Sequence, residues 1–111
     1  MEYMMFVATD PEAEAYDAAQ DNILEWFAYV TQRGAHLRGD RLRPIEDATL
    51  VRVRNGEVLV TDGPFTESKE WIAGYDIIEA NDLDDAIEIA SRHPMARFGR
   101  IEIRPVWPIT G

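Results

Sequence analysis

The chain has no cysteine. Disulfides, thiolate metal sites and thiol nucleophiles are therefore excluded. Histidine is almost as scarce: His36 and His93 are the two present. Set among scattered acids, they show no metal-ligand spacing, and neither a metal nor an organic cofactor is expected. The sequence also lacks a glycine-rich phosphate loop between a strand and a helix, and a nucleophile elbow. No run approaches the roughly 18 apolar residues of a membrane span. The opening Met1-Glu2-Tyr3-Met4-Met5-Phe6-Val7 has no basic lead, long apolar core or small-residue cleavage site, and reads as a strand. A cytoplasmic location is expected. Basic residues are few, 11 Lys and Arg against 21 Asp and Glu, for a formal charge of −10. That field opposes nucleic acid and anionic lipid. Arg33, Arg38, Arg41, Arg43, Arg52 and Arg54 gather in the middle third, either as an anion-binding surface or as a solvated face paired with the acidic excess.

What is present suffices for one domain over residues 1–111. With 46% hydrophobic residues the chain can bury a core, and a domain of this size gains from oligomerisation. Tyr3 to Thr9 reads as a first strand covered on both sides. Asp10-Pro11-Glu12 signals a helix start, with Asp17 as the alternative. Tyr16, Ala19, Ile23, Trp26, Phe27 and Val30 then form an apolar stripe that Gly34 closes. Ala35 to Glu46 reads as a short extended piece plus loop.

Leu50 to Arg54 and Glu57 to Val60 flank Asn55-Gly56, a strong hairpin signal because a type I′ turn needs positive φ at both positions. That register sets Val53 against Val58, Val51 against Val60 and Arg54 against Glu57. Glu70 to Ala80 reads as the longest strand, with Trp71, Ala73, Tyr75 and Ile77 on one face and Ile72, Gly74, Asp76 and Ile78 on the other. Gly74 there suggests a bulge or a close backbone approach. Asp82 caps a second helix whose stripe is Leu83, Ala86, Ile87 and Ala90. Arg97-Phe98-Gly99 turns the chain, and Arg100 to Val106 is the last strand. The pattern is an α+β domain with a ferredoxin-like rhythm, two helices laid on one face of an antiparallel sheet. Two helices cover one face only, so a second copy of the sheet is the expected cover for the other.

The element on which this order turns is Val60-Thr61-Asp62-Gly63-Pro64-Phe65. With Lys69-Glu70, Gly74-Tyr75, the Asp82 to Ala90 helix, Ile101-Glu102-Ile103-Arg104-Pro105-Val106-Trp107, Tyr3-Met4-Met5-Phe6 and the Val51 to Gly56 hairpin, the chain resembles the YCII-related family in its DGPF-motif branch, over nearly its whole length. The resemblance implies a dimeric α+β barrel, two sheets face to face with a pocket near their interface. Members of that family are mostly small bacterial proteins without an assigned activity, and some are associated with extracytoplasmic-function sigma factors. A distant relative resembles a dehydrochlorinase with a His and Asp pair, its histidine early in the first helix. Residues 17–33 hold no histidine, so that pair is not carried over.

Asp62 is the first candidate for proton transfer if its turn lines a dry cleft; the plainer role is to cap that turn. His36 is its candidate partner, since imidazole titrates near neutrality, or else an exposed loop residue. His93 reads as a cation at a helix C-terminus. Phe65, Trp71 and Tyr75 suit either the wall of a small-molecule pocket or a dimer core. Arg52 and Arg104 suit a carboxylate ligand, or salt bridges to Glu57 and Glu102. Two functions fit. In one, a homodimer performs isomerase- or lyase-like proton transfer on a small anionic organic molecule. In the other it is a non-catalytic ligand-binding or protein-interaction module in sigma-factor-linked regulation.

Overall fold

The fold is built on a four-stranded antiparallel sheet, seen in a computed structural model that describes residues 1–62 and 71–110. Its strands are β1 (Glu2–Ala8), β2 (His36–Arg41), β5 (Ile72–Glu79) and β6 (Arg100–Pro105), in the order β2-β5-β1-β6. Helix α1 (Ile23–Gln32) joins β1 to β2 and α2 (Leu83–Ser91) joins β5 to β6, which is the expected ferredoxin-like arrangement. Between β2 and β5 the chain leaves the sheet and forms β3 (Thr49–Arg54) and β4 (Glu57–Asp62), a separate two-stranded ribbon. The turn residues from Gly63 onward, Phe65 among them, lie outside the described residues.

Alternation decides which face of the sheet is dry. Tyr3, Met5 and Val7 of β1 are buried with Gly74, Asp76 and Ile78 of β5, while their neighbours in sequence are only partly covered. The two helices close this face. Trp26 and Val30, one turn apart, are the buried residues of α1, and Ala86, Ile89 and Ala90 are those of α2. Complete burial of Val30 and Ile89 stabilises by about 2 kcal/mol each. Leu83 and Ile87, expected on the buried stripe, are about half exposed, because the face of α2 that meets the core is centred on Ile89.

The helix ends are set by local chemistry. Gly34 takes φ +67°, its N–H bonds to the Thr31 carbonyl at 3.0 Å, and the Ala35 N–H bonds to the Val30 carbonyl at 2.9 Å. That pattern is a Schellman motif, which turns the chain straight into β2. Asp82 accepts from the Asp85 N–H at 2.8 Å, and Asp85 accepts in return from the Asn81 N–H at 2.9 Å. Arg33 at the end of α1 grips both oxygens of Asp85 at 2.9 Å and so ties the two helices together. This pairing, followed by the Asn81 N–H bond, holds the Asp85 carboxyl below its usual range.

Three expectations change. Helix α1 begins at Ile23, not at Asp10 or Asp17; Asp17 instead caps a single 3-10 turn over Ala18–Gln20, since Asp10, Asp17 and Asp21 each bind a backbone N–H two residues on and hold the segment in turns. The short extended piece expected within residues 35–46 becomes a full six-residue edge strand, β2, held by its pairing with β5. Finally, a short helix α3 (Met95–Phe98) precedes β6 where only a turn was expected.

The hairpin register is as expected, Val51 with Val60, Val53 with Val58 and Arg54 with Glu57. Asn55 and Gly56 have φ +52° and +77°, the signs a type I′ turn needs. Its four valines are all exposed. The radius of gyration, 16.1 Å, exceeds the roughly 13 Å of a compact chain of this length.

Candidate functional site

A cavity of about 550 Å³ opens where β2 and β5 pass beneath the start of α1. Two strand positions in its lining have no side chain and are closely approached by the neighbouring strand. Gly39 lies opposite Asp76, and a Cβ there would sit 2.2 Å from Asp76 Oδ1 and 2.5 Å from the Tyr75 carbonyl oxygen. Gly74 lies opposite Arg41, where a Cβ would meet the Asp40 carbonyl at 3.1 Å. The close approach expected of Gly74 is thus present. Ile23, Leu24, Trp26 and Phe27 form an apolar roof, and His93, Pro94 and Met95 close one end.

Asp76 is the carboxylate on the buried side of this floor, only 9% exposed. His36 Nε2 lies 2.8 Å from its Oδ1. An ionised carboxylate can only accept, so the imidazole carries its proton on Nε2 and donates it. Among the described residues no donor reaches Oδ2. Burial raises the Asp76 pKa above the usual carboxylate value, and the bond from His36 pulls the other way. The His36 ring is held edge-on by Phe27 at 5.2 Å and by Trp26 at 6.1 Å.

His93 is not the helix-end cation that the sequence suggested. It is 7% exposed, and burial pushes its pKa down to about 4 against a weaker opposing pull from Asp21. Its Nδ1 accepts the Met95 N–H at 3.0 Å. A nitrogen that accepts cannot also hold a proton, so the neutral ring carries its hydrogen on Nε2. Trp26 packs edge-on against it at 4.7 Å, and the indole is itself anchored by Nε1–H to the Ile89 carbonyl at 2.9 Å. A second hollow, about 640 Å³ and lined by Gln20, Glu25, Tyr29 and Arg92, shares Trp26, His93 and Pro94 with the first.

The other candidates are dispersed. Asp62 is exposed at the end of β4, opposite Thr49, in the ribbon and not in the sheet that carries His36. Tyr75 borders the cavity, but strand alternation sets its side chain with Phe6 on the helix-free face of the sheet. Trp71 stands just before β5, its N–H bonded to Thr9 Oγ1 at 3.1 Å. Arg52 is on the ribbon opposite Leu59. Arg104 lies on the helix-free face of the sheet, exposed, 3.9 Å from Glu102. Arg41 is the arginine that lines the cavity. Among the described residues no cluster of three or more His, Asp or Glu could hold a metal ion, and no helix is long and apolar enough to cross a membrane. The floor carboxylate Asp76 was passed over in the sequence. Its signal was an acid on the same strand face as Gly74 and Ile78.

Among known proteins, a 68-residue stretch is 38% identical to an uncharacterised protein of Rhizobium meliloti (strain 1021), covering 60% of this chain and 55% of that protein. The chain thus spans about half the length of that relative. The model of the YCII-related domain matches residues 1–110. By that near-complete match, the chain belongs to the YCII-related domain family.

Proposed function

We propose that the cavity binds a small organic anion and that Asp76 moves a proton on it, as in an isomerase or lyase. The observation that carries this reading is the buried Asp76, one oxygen held by His36 and the other without a donor among the described residues. A desolvated carboxylate is a stronger base than a solvated one, and the fixed imidazole aims it. In this reading His36, expected as a partner for Asp62, serves Asp76 instead, and Asp76 supplies the carboxylate expected of Asp62. A role for Asp62 depends on its neighbours at 63–70, outside the described residues; residues 62–65 also carry the sequence mark of the DGPF-motif branch. Arg41 takes the anion-binding place considered for Arg52 and Arg104.

The test is deuterium exchange at the CH₂ of phenylpyruvate in D₂O, followed by NMR. Asp76→Asn should lower the enzyme-dependent rate by about 10²-fold or more while leaving the fold intact. An unchanged rate in that variant would remove Asp76 from the chemistry.

We also propose a homodimer. Met4, Phe6, Tyr75 and Ile77 share the helix-free face of the sheet, and the ribbon valines add a second uncovered apolar surface. The cavity described above lies on the helix-covered side of the sheet. The exposed valines also favour a second reading, a non-catalytic module that docks on another protein, sigma-factor-linked regulation being one setting. Sedimentation at micromolar concentration separates these: a 25 kDa particle, about twice the 12.7 kDa chain, supports self-association, and a 12.7 kDa particle overturns it.

A further inference from the structure

We propose that His93 donates its Nε2–H to the carbonyl oxygen of the ligand, so that the cavity selects small 2-oxo carboxylates with an apolar substituent. This rests on the proton-transfer reading of Asp76. Three features of the geometry support it. First, His93 and Asp76 line one cavity, which places a neutral donor and a base around the same bound molecule. Second, the imidazole is fixed on three sides, by the Met95 N–H at Nδ1, by the edge-on Trp26 ring, and by burial. Third, Nε2–H has no acceptor among the described residues and is not among their sealed, unpartnered polar atoms, so a ligand can reach it and satisfy it.

A neutral donor suits an oxygen that gains charge during reaction and gives up no proton to it. When Asp76 Oδ2 takes a proton from the CH₂ beside the carbonyl, the C–H bond electrons form the C=C bond and the carbonyl π pair moves onto oxygen. His93 then holds the enolate oxygen. Return of the proton from Asp76 to that oxygen gives the enol, and return to carbon regenerates the ketone. Arg41, in the cavity lining and without an ion pair among the described residues, suits the carboxylate of the same molecule. Ile23, Leu24 and Phe27 suit its apolar end.

Phenylpyruvate with a labelled ketone carbon is the probe. Its carbonyl infrared band should move to lower frequency on binding to the wild-type chain. His93→Phe should abolish that shift and lower the exchange rate by about 10²-fold with KM little changed. His93→Gln, which keeps an amide donor, should restore part of both. Asp76→Asn should lose exchange and keep the band shift, so failure of the base and failure of the donor look different. Should His93→Phe not fold, the wild-type His93 Nε2–H resonance is read by NMR, and it should move when the probe is added. An unmoved resonance, a band shift that survives His93→Phe, or no binding of the probe by the wild type would each overturn the proposal.

Discussion

Strand β2 and the β3–β4 ribbon follow one another in the chain and teach opposite lessons. The ribbon has the stronger pattern, with Val51, Val53, Val58 and Val60 on one face and a type I′ turn at its tip. Yet all four valines are exposed and the ribbon forms a sheet of its own. Strand β2, His36-Leu37-Arg38-Gly39-Asp40-Arg41, has one aliphatic residue and nonetheless pairs with the longest strand of the main sheet. Backbone pairing with β5 holds β2 in the sheet, which sets Gly39 in the cavity lining and His36 against Asp76. Local alternation tells that a strand forms. It does not tell which sheet receives it.

The contrast can be broken by mutation, beginning where the expected effect is largest. Gly39→Ala presses a methyl into Asp76 Oδ1 and the Tyr75 carbonyl, both rigidly held, and should cost about 3 kcal/mol in urea unfolding followed by circular dichroism. If it costs nothing, β2 does not pack against the cavity floor as described. Acid comes next. Below about pH 6.5 the unfolded chain takes up a proton at His93 that the folded chain refuses until about pH 4. The stabilisation is therefore full above pH 6.5, falls through this window, and is gone below it, a loss of about 3 kcal/mol. Asp85, with its carboxyl held low, adds to the acid loss, whereas Asp76, with its carboxyl held high, opposes it. His93→Gln should flatten the slope between pH 6.5 and 4, and an unaltered slope would mean that His93 is not buried as a neutral ring.

Asp82→Ala should cost about 1 kcal/mol by leaving the first turn of α2 uncapped. Smallest of all, Val51→Ser and Val58→Ser should change the unfolding free energy of the single chain by less than about 0.5 kcal/mol, while weakening the proposed dimer in sedimentation. A large loss in dilute protein would show the ribbon docked on its own chain and erase the contrast with β2.

Much of the fold was legible because its signals are local. The β1 strand, the Asp82 cap, the Gly34 stop and the Asn55-Gly56 turn each depend on residues a few positions apart. The site was less legible, because its members meet only through the sheet. His36 and Asp76 are brought together by the pairing of β2 with β5, which nothing within the 35–46 stretch announces. His93 was misread for a related reason. Its place after a helix suggested a cation at the helix end, but Trp26 from the other helix packs against it. Asp62 drew attention through its turn, whereas the buried carboxylate is set by strand parity, which a one-residue shift would have sent to the opposite face.

Trp26 has one more consequence. Of the three tryptophans it alone is buried, against Trp71 at 37% and Trp107 at 91% exposure. Its ring touches both His36 and His93. Its emission should therefore be blue-shifted and sheltered from iodide, while the other two are quenched. A molecule entering the cavity would dim or brighten that sheltered component alone, so the protein carries its own optical gauge of occupancy.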